Sequence, residues 1–273
     1  MRNTLAYIDP FKNLKINAFL KCIFSGLCFI LALQQSTAQE RADADTEDNE
    51  FTRQIWFDLD PSWSMGDGQK ITANFGYRTI SPKSWHRFIV KANFEKKFEK
   101  LLFKRFNHSE KLFFGTNFFI LTTKDNDDYG SFEIRPLQGY ELGIDLTPRI
   151  VFKQLFRLEE RFVFSSDPEN QIFGLRFRYQ IKAVFNLEGV WFEAGEGFYI
   201  PVAIEGFFNL VSASQFNDVI RLTPGLGYQF NPDFKVEGSL AYHYTQQGGD
   251  YNPENLERTN DIVFRFRIIK TFK

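Results

Sequence analysis

From Gln54 to the C-terminus the chain repeats one pattern, a run of alternating apolar and polar residues followed by a cluster of Gly, Pro, Asn, Asp or Ser. Alternation with a period of two places successive side chains on opposite faces of a strand. The clearest run spans 171–185. There Phe173, Leu175, Phe177, Tyr179, Ile181 and Ala183 share one face, and Gly174, Arg176, Arg178, Gln180 and Lys182 share the other. Ile220, Leu222, Leu226, Tyr228 and Phe230 likewise oppose Arg221, Thr223, Gly225, Gly227 and Gln229, and Phe234, Val236, Leu240, Tyr242 and Tyr244 oppose Lys235, Glu237, Ser239 and His243. Eleven runs predict strands near 54–63, 70–80, 85–95, 111–122, 131–146, 150–164, 171–185, 190–211, 218–230, 234–246 and 258–272.

Run length decides between two architectures. Strands of a soluble sandwich average about 5–6 residues, whereas strands that cross a bilayer at a tilt need about 9–11, apolar toward lipid and polar toward the lumen. Most runs here exceed the sandwich length, so the pattern predicts an all-β fold, an antiparallel transmembrane β-barrel occupying 54–273. The links at 147–149, 186–189 and 231–233 are short, while those at 123–130, 165–170, 212–217 and 247–257 are longer. That asymmetry is expected of an outer-membrane barrel with the short set in the periplasm. Single-chain bacterial barrels have even strand numbers. The segment 98–106 is therefore a candidate twelfth strand, and the expected count is 12, with 10 the alternative if 54–63 lies outside the wall.

The N-terminus reads as an address. Lys12, Lys15 and Lys21 precede an apolar run from Cys22 to Leu33, and the sequence then passes through Gln34, Gln35, Ser36 and Thr37 to Ala38. A basic region, a short apolar run and small residues before the break make a signal peptide over 1–38, with cleavage after Ala38. The apolar run covers only about 18 Å of helix, too little for a hydrocarbon core of about 30 Å. Both cysteines, Cys22 and Cys28, fall in this segment, so the mature chain carries no disulfide. Residues 39–53 are acidic and lack periodicity, which predicts a solvated leader.

Composition then acquires a meaning. A formal charge of −1 gives no reason to expect a nucleic-acid partner, and a mean hydropathy of −0.31 excludes a bundle of membrane helices. The 34 phenylalanines look odd in such a chain until the alternation assigns many of them to an outward face, where membrane lipid is the expected partner. Trp63, Trp85, Trp191, Tyr199 and Tyr251 fall at or near predicted strand ends, the place for interfacial girdles, and Tyr179 and Tyr228 lie further in. On the last strand Ile262, Phe264, Phe266, Ile268 and Phe272 oppose Asp261, Arg265, Arg267 and Thr271. This end resembles the terminal strand that the outer-membrane assembly machinery reads, with Lys273 after Phe272 as a departure.

The other face is charged. Arg78, Arg87, Lys91, Glu133, Arg135, Glu141, Lys153, Arg157, Glu159, Arg161, Arg176, Arg178, Lys182, Glu193, Arg221, Glu237, Arg265 and Arg267 all fall on it. Two readings remain open: a lumen packed with paired Arg and Glu, or an anion-attracting pore whose low-dielectric lining focuses its field. Glu160 falls on the lipid side, which suggests a rim position or a bulge. Three histidines offer general bases. His86 lies on the apolar side, His108 is in a polar link, and His243 faces inward beside Thr245 and near Ser239, but no His-Ser-Asn cluster is legible. No catalytic residue and no cofactor is assigned. No pair of His or Cys residues has ligand spacing; Asp125, Asn126, Asp127 and Asp128 offer oxygen ligands that suit calcium on an exposed loop, although such a cluster is more often a solvated loop tip, and Gly248-Gly249-Asp250 is a turn with no helix after it.

Several short motifs resemble the outer-membrane barrels filed as domain of unknown function number 2490. They are Gln54 and Trp56 on an early strand, Tyr77-Arg78 followed by Trp85-His86-Arg87, and the stretch from Phe132 to Gly139. Next come Phe156 to Arg161, Leu175 to Arg178, and Arg221 to Tyr228 with its Gly-Leu-Gly-Tyr core. The resemblance implies a barrel in the outer membrane of a Gram-negative bacterium and transfers no catalytic residue. The function expected is a small channel or a structural or surface scaffold, without enzymatic activity. A barrel-type lipid hydrolase or acyltransferase using His243, and a soluble periplasmic β-sandwich binding a hydrophobic ligand, are the alternatives.

Overall fold

The computed structural model describes residues 50–81, 85–99, 101–103, 108–123, 131–165, 171–187, 195–211, 218–246 and 258–273. The chain divides into the units Met1–Asp48 and Asn49–Lys273. The first, with the predicted signal peptide and Ala38, lies outside the described residues, as do Asp125 to Asp128, Trp191, Glu193, Gly248 to Asp250 and Tyr251.

The alternating segments form eleven strands: β1 (Glu50–Gly66), β2 (Gln69–Ser81), β3 (Trp85–Phe98), β4 (His108–Thr123), β5 (Ser131–Thr147), β6 (Ile150–Ser165), β7 (Ile172–Asn186), β8 (Gly197–Val211), β9 (Asp218–Asn231), β10 (Phe234–Gln246) and β11 (Arg258–Phe272). Neighbours in sequence pair antiparallel, and β1 closes the barrel by pairing with β11 in parallel. The expectation of 12 antiparallel strands, or 10, is corrected here. An odd number of up-and-down strands leaves the first and last running the same way, so the seam must be parallel. Parallel pairing is slightly weaker per residue, and side chains on both faces reinforce the seam. Inside, Arg265 Nε donates to Asp58 Oδ2 at 2.6 Å and Ser62 Oγ to Thr271 Oγ1 at 3.1 Å; outside, Phe57 stacks on Phe266 and Trp63 on Phe272, each at 5.7 Å between centroids.

Among the described residues of 98–106 the proposed twelfth strand does not form, since Phe98 ends β3 and 101–103 lie outside any strand. Among its described residues, Leu101, Leu102 and Phe103 turn their backbone N–H groups onto the Glu110 carboxylate, and β4 then starts at His108. Residues 50–53, expected in the acidic leader, belong to β1. Around the link expected at 186–189, β7 runs to Asn186 and β8 is described from Gly197 instead of 190. The sorting of links by length is therefore partial. One rim carries the turns after Gly66, Thr147 and Asn231 together with the longer links 99–107 and 187–196, while the other carries 82–84, 124–130, 166–171, 212–217 and 247–257. Asp67 and Gly68, at φ 47 and 70, make the β1–β2 turn of the left-handed kind that suits the twist of a two-residue hairpin.

Strands of 13–17 residues span about 43–56 Å at about 3.3 Å per residue, and a tilt of about 45° brings that to about 30–40 Å of height. The wall thus exceeds an apolar band of about 25 Å and leaves room for a rim at each end. Outward positions are apolar and exposed, among them Ile55, Phe57, Phe75, Phe88, Phe114, Ile120, Leu226, Leu240, Phe264 and Phe266. Rings ladder across neighbouring strands, as in Phe118, Phe132 and Phe164, stacked in turn at 6.3 Å. Some phenylalanines do not follow the outward rule: Phe113, Phe119 and Phe207 point inward and are buried, as are Trp56, Ile89, Leu137, Tyr199, Ala241 and Val263. The interior is a packed mixture of apolar and charged side chains.

Candidate functional site: the charged lumen

Glu159 on β6 is the hub of the inner wall. It is fully buried, and its two oxygens take Arg157 at 2.8 Å, Arg178 at 3.2 Å, Arg135 at 3.5 Å and, closest of all, Arg176. Cross-strand register explains the convergence. Glu159 lies opposite Leu137 on β5 and Arg176 on β7, and Arg157 lies opposite Arg178, so one carboxylate is surrounded by cations from three strands. The network extends both ways. Glu133 accepts from Arg135 at 2.8 Å and Arg161 at 2.6 Å, and Glu205 on β8 takes Arg178 at 2.5 Å and Arg221 at 3.4 Å. Arg135 lies over Phe119 at 4.1 Å, and Phe207 carries Arg176, Arg178 and Arg221 at 4.5–4.9 Å, so the same buried guanidiniums that pair with carboxylates also stack on rings.

A second network lines the seam. Asp58, fully buried, takes Arg265 and Asn74, while Arg267 joins Asp60 at 2.5 Å to Glu237 at 3.2 Å. A third lies toward the rim of the C-terminus, where Lys111 bridges Glu95 at 3.1 Å and Glu141 at 3.5 Å, and Glu141 also meets Lys153 at 3.4 Å. Arg87 faces the field of Glu133, Lys91 that of Asp58 and Asp60, and Lys182 that of Glu237. The predicted lumen residues thus all lie on the inner wall apart from Glu193, which is outside the described residues. The sequence reading missed Asp58, Asp60 and Glu205, the acceptors that neutralise Arg265, Arg267 and Arg178. Their inward parity was legible, Asp58 and Asp60 following Gln54 and Trp56 at a spacing of two.

Inward glycines make room for this packing. Tyr199 faces Gly227 directly across β8 and β9, and a Cβ at Gly227 would come within 2.1 Å of the tyrosine ring. Gly139 opposes Phe113 in the same way. Tyr199 therefore belongs to the lumen, where its hydroxyl donates to Glu237 at 3.3 Å, and not to an interfacial girdle. Trp63 does lie exposed at the C-terminal rim, and Tyr179 makes outer-wall contact with Phe156 at 4.9 Å.

The histidines separate into three settings. His86 is on the outer face, stacked on Tyr77 with Nδ1 2.6 Å from the tyrosine hydroxyl. His108 is not in a free link: it opens β4 and meets Glu110 at 2.7 Å. His243 is buried inside, edge-on to Trp56 at 5.5 Å, with Nδ1 3.9 Å from Asp261. Glu160 faces outward and is exposed, on β6 opposite Leu175. Among the described residues no group of three or more His, Cys, Asp or Glu is placed to hold a metal. Among the described residues no helix is long and apolar enough to cross a membrane, which says nothing of strands.

No curated protein and no solved structure matches the chain. Residues 38–255 match the family described as Protein of unknown function (DUF2490). With this match over most of its length, and with the motifs at Trp56, Arg78 and Glu159 lying on a closed barrel, the chain belongs to that family of unknown function.

Proposed function

We propose that the chain is an integral outer-membrane β-barrel with a sealed lumen, serving as a structural or surface scaffold and not as an open pore. The observation that carries this reading is the division between the two walls. Outside, the strands expose Phe, Leu, Ile and Val; inside, the buried Glu159 pairs with Arg135 and Arg176, and the buried Glu205 with Arg178 and Arg221. Soluble monomers rarely expose apolar patches beyond a few hundred Å², so a wall of this kind needs a cover, and lipid supplies one. The family match starts at residue 38, where the predicted signal peptide ends, which supports export. Phe272 at the end of β11, outward and exposed, has the orientation suited to recognition by the assembly machinery.

Planar-bilayer recording tests the sealed lumen. Wild-type protein, verified as inserted by its resistance to external protease, is expected to give no steady conductance steps. Regular ohmic steps would overturn the seal. A narrow anion-preferring channel is the second reading, favoured by the excess of Arg and Lys over carboxylates on the inner wall. It requires such steps, with a reversal potential displaced toward that of the anion.

A further inference from the structure

Trp56 on β1 is enclosed by cations. Its indole Nε1 donates to Gln54 at 2.9 Å, and Arg78 from β2 lies over its ring at 3.7 Å. Arg221 from β9 and Arg265 from β11 follow at 5.2 and 6.0 Å, and His243 from β10 meets it edge-on. The carboxylates within reach are already committed. Asp58 is taken by Arg265 and Asn74, Glu205 is shared between Arg178 and a terminal nitrogen of Arg221, and Asp261 accepts from Gln54 at 3.2 Å and faces the other ring nitrogen of His243 at 3.9 Å.

Three nitrogens remain. Arg78 Nε, Arg221 Nε and His243 Nε2 are each buried without a hydrogen-bond partner. An arginine does not escape this by losing its proton, and an unpaired buried donor on a charged group costs more than the about 1–3 kcal/mol of a neutral one. Isolated orphans occur in many proteins. Here two guanidiniums and an imidazole from three strands share one indole and leave a local excess of positive charge, and His243 lies in the field of both Arg221 and Arg78.

We propose that this cage is a binding site for an oxyanion of the phosphate class, with Arg78 and Arg221 donating to it beside Trp56 and His243 joining them in the tautomer that carries its proton on Nε2. An oxyanion offers several acceptors and a negative charge, matching both deficits, and guanidiniums suit phosphate geometry. The cage lies toward the rim opposite the C-terminus, since Arg78 and His243 each stand three residues from the ends of β2 and β10 at Ser81 and Gln246. The proposal deepens the scaffold reading by giving the barrel a ligand. Its chemistry does not depend on whether the lumen conducts, so binding and conductance fail separately.

The test is calorimetric titration of the detergent-solubilised full barrel with inorganic pyrophosphate and, separately, with short-chain phosphatidic acid. Saturable binding to wild type is expected, about tenfold weaker in Arg78→Gln and in Arg221→Gln and unchanged in Lys97→Gln at the opposite rim. Tighter binding of phosphatidic acid assigns a lipid headgroup, and tighter binding of pyrophosphate a soluble oxyanion; both outcomes support the site. If the arginine variants do not fold, the readout is tryptophan fluorescence, with a saturable change expected in wild type and lost in Trp56→Phe. The proposal is overturned by no saturable binding to wild type, by equal affinity in the folded arginine variants, or by equal weakening in Lys97→Gln.

Discussion

At the residue scale, Glu159 carries more of the interior than any other described side chain, since four arginines converge on it. Breaking a buried ion pair costs about 3–5 kcal/mol because the partner charge is left behind. Glu159→Ala strands several, so thermal unfolding in detergent, followed by far-ultraviolet circular dichroism, is expected at markedly lower temperature than in wild type. An unchanged midpoint would show that the arginines find other partners. Gly227 tests packing in the opposite direction. Gly227→Ala drives a methyl into the Tyr199 ring and is expected to cost about 1–3 kcal/mol. Tyr199→Leu, which removes the ring, should restore much of that loss in the double variant, and two additive losses would count against the packing account. The inward parity of Glu159 and Gly227 was readable from alternation alone. Which acceptor each arginine takes was not, because that depends on register between strands, and a shift of one residue exchanges every facing pair.

At the scale of elements, the strands were legible and their ends less so. Alternation located all eleven, yet the segment 98–106 deceived because Phe98, Leu101, Leu102, Phe103 and Phe106 give it the composition of a strand. In the structure the described part of this segment is held by one carboxylate. Glu110 has outward parity but is fully buried, accepting from the backbone of Leu101, Leu102 and Phe103, from the Tyr140 hydroxyl at 2.7 Å, and contacting His108. A single Glu two residues into a strand gives no hint of that role in the sequence. Glu110→Ala is expected to release the segment: limited proteolysis should cut near Lys100 or Lys104 faster than in wild type, with the melting of the barrel changed much less. Equal cleavage rates would refute the clasp. The exposed side chains of Leu101, Leu102 and Phe103 place apolar surface at the same rim as Trp63 and Phe272.

On the scale of the whole molecule, the even-number rule for bacterial barrels pulled the expected count from eleven to twelve, and the parallel β1–β11 seam shows why the rule gives way. Once the first strand enters from the rim opposite the C-terminus, odd closure follows, and the seam is compensated by Asp58 with Arg265 and Asp60 with Arg267 inside and by stacked rings outside. Alternation of side chains is a local property that any one strand reveals. Closure depends on the pairing of Glu50–Trp63 with Thr259–Phe272, segments about two hundred residues apart, and no pattern within either announces it. The same holds for the lumen: its charge was legible, whereas its packing required knowing that Trp56, Ala241 and Val263 meet inside the wall. The central claim is that the apolar outer wall faces lipid. Extraction of outer membranes with concentrated urea or alkaline carbonate tests this most directly: the mature chain is expected to stay in the membrane pellet and to dissolve only in detergent, and its release into the aqueous supernatant as a folded protein would contradict the account.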